Sequence, residues 1–333
     1  MSLADVWFAL LGFILFLALA SDGWDLGIGI LSLFCRHEGR REIMLNSIGP
    51  SWHANLTWLV ILGGLLFGAF PLAYSVILSA LYIPLVLMLW GLIFRGVSLD
   101  FRGEARNRRL WNLGSGLGSL LTALAQGFIL GALVSGLRVE GRAFAGGVWD
   151  WLNPLAALVA LGVLFAYLLL GATYLILKSG GEVQETAYRQ AQVAAWSLLI
   201  VSFGLGFWGI YKYPFLSRNW LVSPSAWLTT FPVIVAAFAF VMLLASLLKA
   251  DDRAPFTWSL AIFFCSFLAM AASLHPYIIP PAITVSEAGA PPLILAVMLA
   301  VTLVILPVML IYNGYQYLVF GGKTSGEGGG YGA

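Results

Sequence analysis

Charge is scarce in this sequence. Of its 333 residues, 10% are Asp, Glu, Lys or Arg and 61% are hydrophobic. A soluble domain carries roughly 25% charged residues, so a chain dissolved mainly in water is excluded. Histidine occurs three times, as His37, His53 and His275. Each haem needs at least one axial ligand, so these are too few for several haems. The two cysteines, Cys35 and Cys265, make neither a disulfide framework nor a metal knuckle. No zinc cluster, nucleophile elbow or Walker loop is present, which excludes a resident metal and a complete catalytic site. The glycines of Gly114-Ser115-Gly116-Leu117-Gly118 do not follow a strand and lie inside an apolar run, so they do not cradle a nucleotide. No nucleic-acid partner is expected either.

What is present is apolar length. Runs of about 20 residues, each able to cross a hydrocarbon core of about 30 Å, recur from end to end. They far exceed the roughly 10-residue alternating segments of a membrane β-barrel, so the expected fold is an all-α integral membrane bundle. Nine spans are predicted: 5–34, 50–70, 73–94, 111–137, 151–177, 188–211, 226–248, 256–279 and 291–319. Residues 1–320 form a single polytopic membrane domain, and the Gly-rich stretch 321–333 is expected to be disordered. The first run reads as a span, not a cleavable leader. It has no basic flank and passes into the polar Ser21-Asp22-Gly23-Trp24-Asp25 without a small-residue cleavage site.

Basic residues orient the bundle. With the N-terminus outside, the cytoplasmic segments hold Arg36, Arg40, Arg41, Arg95, Arg102, Arg106, Arg108, Arg109, Lys178, Arg189, Lys249, Arg253 and Lys323, which is 13 of the 17. Arg138, Arg142, Lys212 and Arg218 fall outside. The C-terminus is then cytoplasmic, as an odd number of spans requires. Gly23/Gly27, Gly64/Gly68, Gly114/Gly118 and Gly127/Gly131 are small-xxx-small pairs of the kind that bring helices close.

Charged groups inside a membrane are costly and usually face a protein interior or a water path. Asp22 and Asp25 sit three apart in the first span and share roughly one face. At 1.5 Å per residue, His53 at the start of the second span reaches a depth similar to that of Asp25, counting back from a loop over 35–49. A carboxylate and an imidazole there can accept and pass protons, or can form a hydrogen bond that ties the two helices. Asn46 and Asn55 fit capping or cross-helix hydrogen bonds. Arg95, Asp100 and Arg102 read as a structural charge cluster at the inner end of the third span. His275 stands before the prolines that end the eighth span, and Glu287 follows in an outer loop.

Several blocks resemble a known family. Asp22-Gly23-Trp24-Asp25-Leu26-Gly27-Ile28-Gly29 is similar to the D-G-F-D-x-G-x-G signature of cytochrome bd-type quinol oxidase subunit II. Arg41 to Pro50, followed by Trp52 and Trp58, resembles that family's next block, and so does Gly63 to Pro71. Further likeness lies in Phe94–Arg102, Leu152-Asn153-Pro154, Gly171-Ala172-Thr173-Tyr174-Leu175 and Pro276-Tyr277. The resemblance is dense over 20–105 and collinear beyond.

It implies a haem-free subunit in a bacterial or archaeal cytoplasmic membrane. This subunit would pair with a homologous haem-bearing subunit I, with small accessory subunits also conceivable. Together they would oxidise quinol, reduce dioxygen to water and take protons from the cytoplasm. The chain would ligate no cofactor itself, though a structural quinone is implied near Trp58, with Asn55 and Trp52 as further quinone- or partner-contact candidates. Asp25 matches the family's acidic position, with His53 and Asp22 as further proton-transfer candidates. One departure stands out: the family's W-D-G-N-x-x-W reads Trp52-His53-Ala54-Asn55-Leu56-Thr57-Trp58 here, with His53 where the proton-uptake Asp is usual. Two other readings compete, a proton-coupled secondary transporter and a purely structural partner. The transporter would need broken helices repeated in both halves. An interruption is expected at Ser21–Asp25, but no counterpart is visible in the second half.

Overall fold

The computed structural model describes residues 2–213, 217, 220 and 226–324. Among these, nine helices are long and apolar enough to cross a membrane. They are α1 (Leu3–Leu33), α3 (Trp52–Ala69), α4 (Pro71–Arg102), α5 (Arg108–Ser135), α6 (Pro154–Lys178), α7 (Gly181–Lys212), α8 (Trp227–Leu248), α9 (Ala254–Leu274) and α11 (Pro292–Val319). Two short helices join them, α2 (Glu38–Asn46) and α10 (Val285–Ala288). Two hairpins, β1–β2 (Val139–Glu140, Ala143–Phe144) and β3–β4 (Tyr277–Ile279, Ile283–Thr284), cover the end of the bundle opposite α2.

Local chemistry sets the helix ends. Ser2 and Asp5 form a capping box at the start of α1, satisfying two backbone donors reciprocally. Asn153 caps α6, and Pro154 occupies its first position, where no backbone N–H is needed. Pro84 removes a hydrogen bond inside α4, and the helix departs from regular geometry at Leu81, one turn earlier.

α1 is the central helix. Every residue from Ala20 to Ser32 is buried, because α3, α5 and α6 pack around it. The approach to α6 depends on glycine on both sides. A Cβ at Gly27 would run into the Tyr167 carbonyl, and one at Gly171 would meet the Gly27 carbonyl carbon at 2.6 Å. Gly127 and Gly131 of α5 lie against Ala160 and Ala156 of α6, and Gly114 and Gly118 of α5 against Ser98, Gly91 and Arg95 of α4. The Gly64/Gly68 pair does not pack this way. Gly68 meets Met298, while Gly64 faces open space.

Three span boundaries and two further features differ from the sequence expectation. The third span runs on past Gly96 to Arg102, and so Arg95 lies two turns inside the helix. The sixth begins at Gly181, its polar first turns extending the apolar run. The eighth ends at Leu274, where Pro276 stops it and Tyr277–Ile279 turns into a strand. The loop over 35–49 contains α2. The first span is not interrupted at Ser21–Asp25: α1 is continuous, with Ser21 Oγ bonded to the Leu17 and Ala18 carbonyls and Oδ2 of each aspartate accepting from a side chain of another helix. The start of the predicted disordered tail is held in place, since Lys323 pairs with Asp252 at 2.7 Å and the Thr324 N–H donates to the Lys178 carbonyl at 2.7 Å. Residues 325–333, and Arg218 of the predicted outer loops, lie outside the described residues.

Candidate functional site

Asp25 is fully buried on α1, and its Oδ2 lies 3.3 Å from Nη2 of Arg95, which is itself 1% exposed. The separation makes an ion pair, but the two groups are not aligned as a hydrogen bond. Asn55 Nδ2 of α3 donates to the same Oδ2 at 2.9 Å, and Tyr317 Oη of α11 donates to Asn55 Oδ1 at 2.5 Å. Four helices therefore converge on one carboxylate. Moving two charges out of water costs several kcal/mol per ion before their attraction is counted, so packing alone gives no reason to keep them here. Asp25 Oδ1 and Arg95 Nε have no protein partner.

Asp22, one turn along α1 and 1% exposed, sits in a similar setting. Gln126 Nε2 of α5 donates to its Oδ2 at 3.1 Å, and Tyr167 Oη of α6 donates to Gln126 Oε1 at 2.7 Å.

The structure does not bring His53 to Asp25. His53 is exposed on α3, with its ring 3.6 Å from that of Trp52. Similar depth did not translate into a shared face, because two residues on a helix are turned about 200° apart; Asn55 takes the place beside Asp25 instead. The charge cluster also separates. Arg95 belongs to the Asp25 site, with the Trp52 ring 5.8 Å from its guanidinium carbon. Arg102 bonds Asn112 and Glu38, each at 2.7 Å. Asp100 is exposed and joins neither.

Glu38 is the hub at the α2 end, accepting also from Arg41 at 2.5 Å and Asn112 at 3.0 Å. Partial burial alone would raise its carboxyl, but the hydrogen bonds and charges of Arg41 and Arg102 outweigh that and hold it below the usual range.

Next to the Asp25 site is a cavity of about 480 Å³ between α1, α3, α9 and α11. Trp58 and Asn55 line it, together with Trp24, Tyr317 and Asn313. Ser21 also lines it, and the rest of its walls are apolar. Two buried polar atoms on the lining residues, Trp24 Nε1 and Asn313 Oδ1, have no protein partner. Trp52 is not part of this lining. It is six residues from Trp58, a rotation of about 240° on a helix, and faces Gly96 of α4.

Residues 3–320 match the family described as cytochrome bd terminal oxidase subunit II. The chain belongs to that family. It is 31% identical to cytochrome bd-I ubiquinol oxidase subunit 2 of Escherichia coli (strain K12), over 97% of this chain and 95% of that one. It is 26% identical to cytochrome bd ubiquinol oxidase subunit 2 of Bacillus subtilis (strain 168), over 97% of each. The solved bd oxidase from Geobacillus thermodenitrificans superposes with a TM-score of 0.79 at 20% identity, covering 96% of this chain and 99% of that one, and so shares the fold. As a cytochrome bd subunit II, this multi-pass membrane protein is one component of an oxidoreductase complex.

Within the subunit II fold, Tyr317, Gln126 and Tyr167 are the site residues that sequence reasoning missed. Arg95 is visible in the sequence but reads there as part of a structural charge cluster, whereas its partner is Asp25. The other three are ordinary members of apolar helices, and only the packing shows what they touch.

Proposed function

We propose that this chain is the haem-free subunit II of a cytochrome bd-type quinol oxidase in a bacterial cytoplasmic membrane. It pairs with a haem-bearing subunit I, and the complex oxidises quinol and reduces dioxygen to water. The N-terminus faces outward, in keeping with the concentration of arginine and lysine at the α2 end. The protons that dioxygen reduction consumes enter from the cytoplasm by way of Asp25.

The observation that carries this reading is the Asp25–Arg95 pair, fully buried and held by Asn55 and Tyr317. A carboxylate kept in a membrane interior with one oxygen free of protein partners is suited to accept and release a proton. Arg95 offsets its charge, and Asn55 fixes which oxygen stays free.

A quinone as a structural ligand fits the cavity beside Trp58. The volume lies within the roughly 300–1,000 Å³ of small-molecule sites. The free Trp24 indole N–H can donate to a ring carbonyl, and Asn313 Oδ1 can accept from a quinol hydroxyl. When bound, such a group would supply a flat ring with two oxygens; the residues here bind and orient it. The secondary-transporter reading loses its one sequence sign, because α1 is unbroken.

The test is purification of the chain from its native membrane. The expected result is co-purification with a larger subunit showing haem absorption, in a complex that consumes oxygen when given quinol. A purified complex without haem absorption would overturn the reading.

A further inference from the structure

The two aspartates of α1 are held by the same device used twice. Tyr317 donates to the Asn55 carbonyl and Asn55 donates to Asp25 Oδ2; Tyr167 donates to the Gln126 carbonyl and Gln126 donates to Asp22 Oδ2. In each case Oδ1 is left buried without a protein partner. A neutral amide donates a hydrogen bond but does not hand on its proton as a hydroxyl or water does. Each tyrosine–amide chain therefore fixes its carboxylate and closes one side of it, and Oδ1 is the atom open to protonation.

Charge settles how many protons are held. The groups facing the two aspartates are Asn55 of α3, Arg95 of α4, Gln126 of α5, Tyr167 and Tyr174 of α6 and Tyr317 of α11. Tyrosines are neutral near pH 7, so Arg95 is the charged member of this set, and its charge acts on both carboxylates. The other buried cations are committed elsewhere, Arg102 to Glu38 and Lys178 to the Phe320 carbonyl. Two carboxylates against one guanidinium leave an excess negative charge in a low-dielectric core, which binding one proton removes.

We infer that Asp22 and Asp25 together hold one exchangeable proton, shared between their free Oδ1 atoms and balanced by Arg95. With the proton on Asp22, Asp25 is the carboxylate paired with Arg95; with the proton on Asp25, Asp22 is the carboxylate. Gln126 and Tyr167 are then positioning residues for the Asp22 half, as Asn55 and Tyr317 are for the Asp25 half. That this proton is used in turnover rests on the proposed uptake role of Asp25. That it is held follows from the charge count.

Infrared difference spectroscopy of the purified two-subunit complex tests this. Spectra of the wild type minus Asp22→Asn, Asp25→Asn and the double variant are recorded in H2O and D2O, with carbon-13-labelled aspartate to assign the bands. The expected result is one deuterium-sensitive carboxylic-acid C=O band in the wild type that disappears in each single variant, because the remaining aspartate ionises against Arg95. A band surviving in either single variant, or no difference between wild type and double variant, overturns the shared proton. If the aspartate variants do not assemble, Tyr167→Phe and Tyr317→Phe remove only a hydroxyl each, and both should shift that same band. Two independent bands, or no shift, would overturn it. The outcomes separate the two claims: a shared band with turnover indifferent to Asp25→Asn keeps the proton store and removes the uptake role, and slowed turnover with a band surviving in one variant does the reverse.

Discussion

Nη2 of Arg95 stands 3.3 Å from Oδ2 of Asp25, and neither side chain reaches the surface of the chain. A buried ion pair of this kind adds little net stability, yet removing one partner strands the other charge. That asymmetry explains how the pair can be useful without being a major source of stability.

Arg95→Gln is therefore expected to destabilise the complex by about 3–5 kcal/mol, measured from the midpoint of thermal or denaturant unfolding. Adding Asp25→Asn should recover part of that loss, because the stranded carboxylate is gone. A double variant no more stable than Arg95→Gln alone would contradict the pairing.

At the α2 end the sign of the pH dependence follows from Glu38. Its carboxyl lies below its ordinary value of 4.5, as Arg41 and Arg102 outweigh its partial burial. A lowered folded-state value means that the Glu38 contribution is complete above that ordinary value and is lost as pH falls through the lower folded one. Glu38→Gln should lower the melting temperature at pH 7, and the difference from wild type should close in strongly acidic buffer. A difference that grows on acidification would argue against the network.

Packing makes its own prediction at Gly27. A side chain there meets the backbone of α6, at the Tyr167 carbonyl, and not a flexible side-chain tip. Gly27→Leu should cost at least the roughly 1–3 kcal/mol of an overpacked core, read as a lower melting temperature or lost assembly. Gly64→Leu, which points into open space within this chain, should leave the fold of the subunit intact. Equal effects from the two would contradict the α1–α6 crossing.

The cavity is testable without touching the charge site. Gly314 lines it, and a Cβ there meets nothing within 4 Å. Gly314→Leu should fill part of the space and lower the quinone extracted from the purified complex several-fold. Quinone content equal to wild type would show that no quinone occupies this cavity.

The sequence made the bundle legible because apolar length and charge asymmetry are additive along the chain. Nine long runs needed no knowledge of contacts. The site was only half legible. Asp22 and Asp25 stood out since aspartate inside an apolar run is rare. Of their partners, Asn55 and Arg95 stood out as polar residues, but Gln126, Tyr167 and Tyr317 did not, since they belong to helices whose facing is set by tertiary packing. His53 shows the limit most clearly. Depth along a helix follows from counting residues, but the direction of a side chain depends on helix phase, and the phase that buries Trp52, Asn55 and Trp58 turns His53 outward. The short α2 was hidden by its low apolar content: Arg41 and Glu38 hold it through polar contacts, and Met44 and Leu45 are its buried apolar residues.

The most direct test of proton delivery is steady-state oxygen consumption by the Asp25→Asn complex, at matched subunit and haem content. If Asp25 carries protons, turnover should fall by on the order of a hundredfold, the low end for a lost proton-transfer group, while assembly and the haem spectrum stay as in wild type. Wild-type turnover in a fully assembled Asp25→Asn complex would contradict that role and leave this subunit as a membrane scaffold.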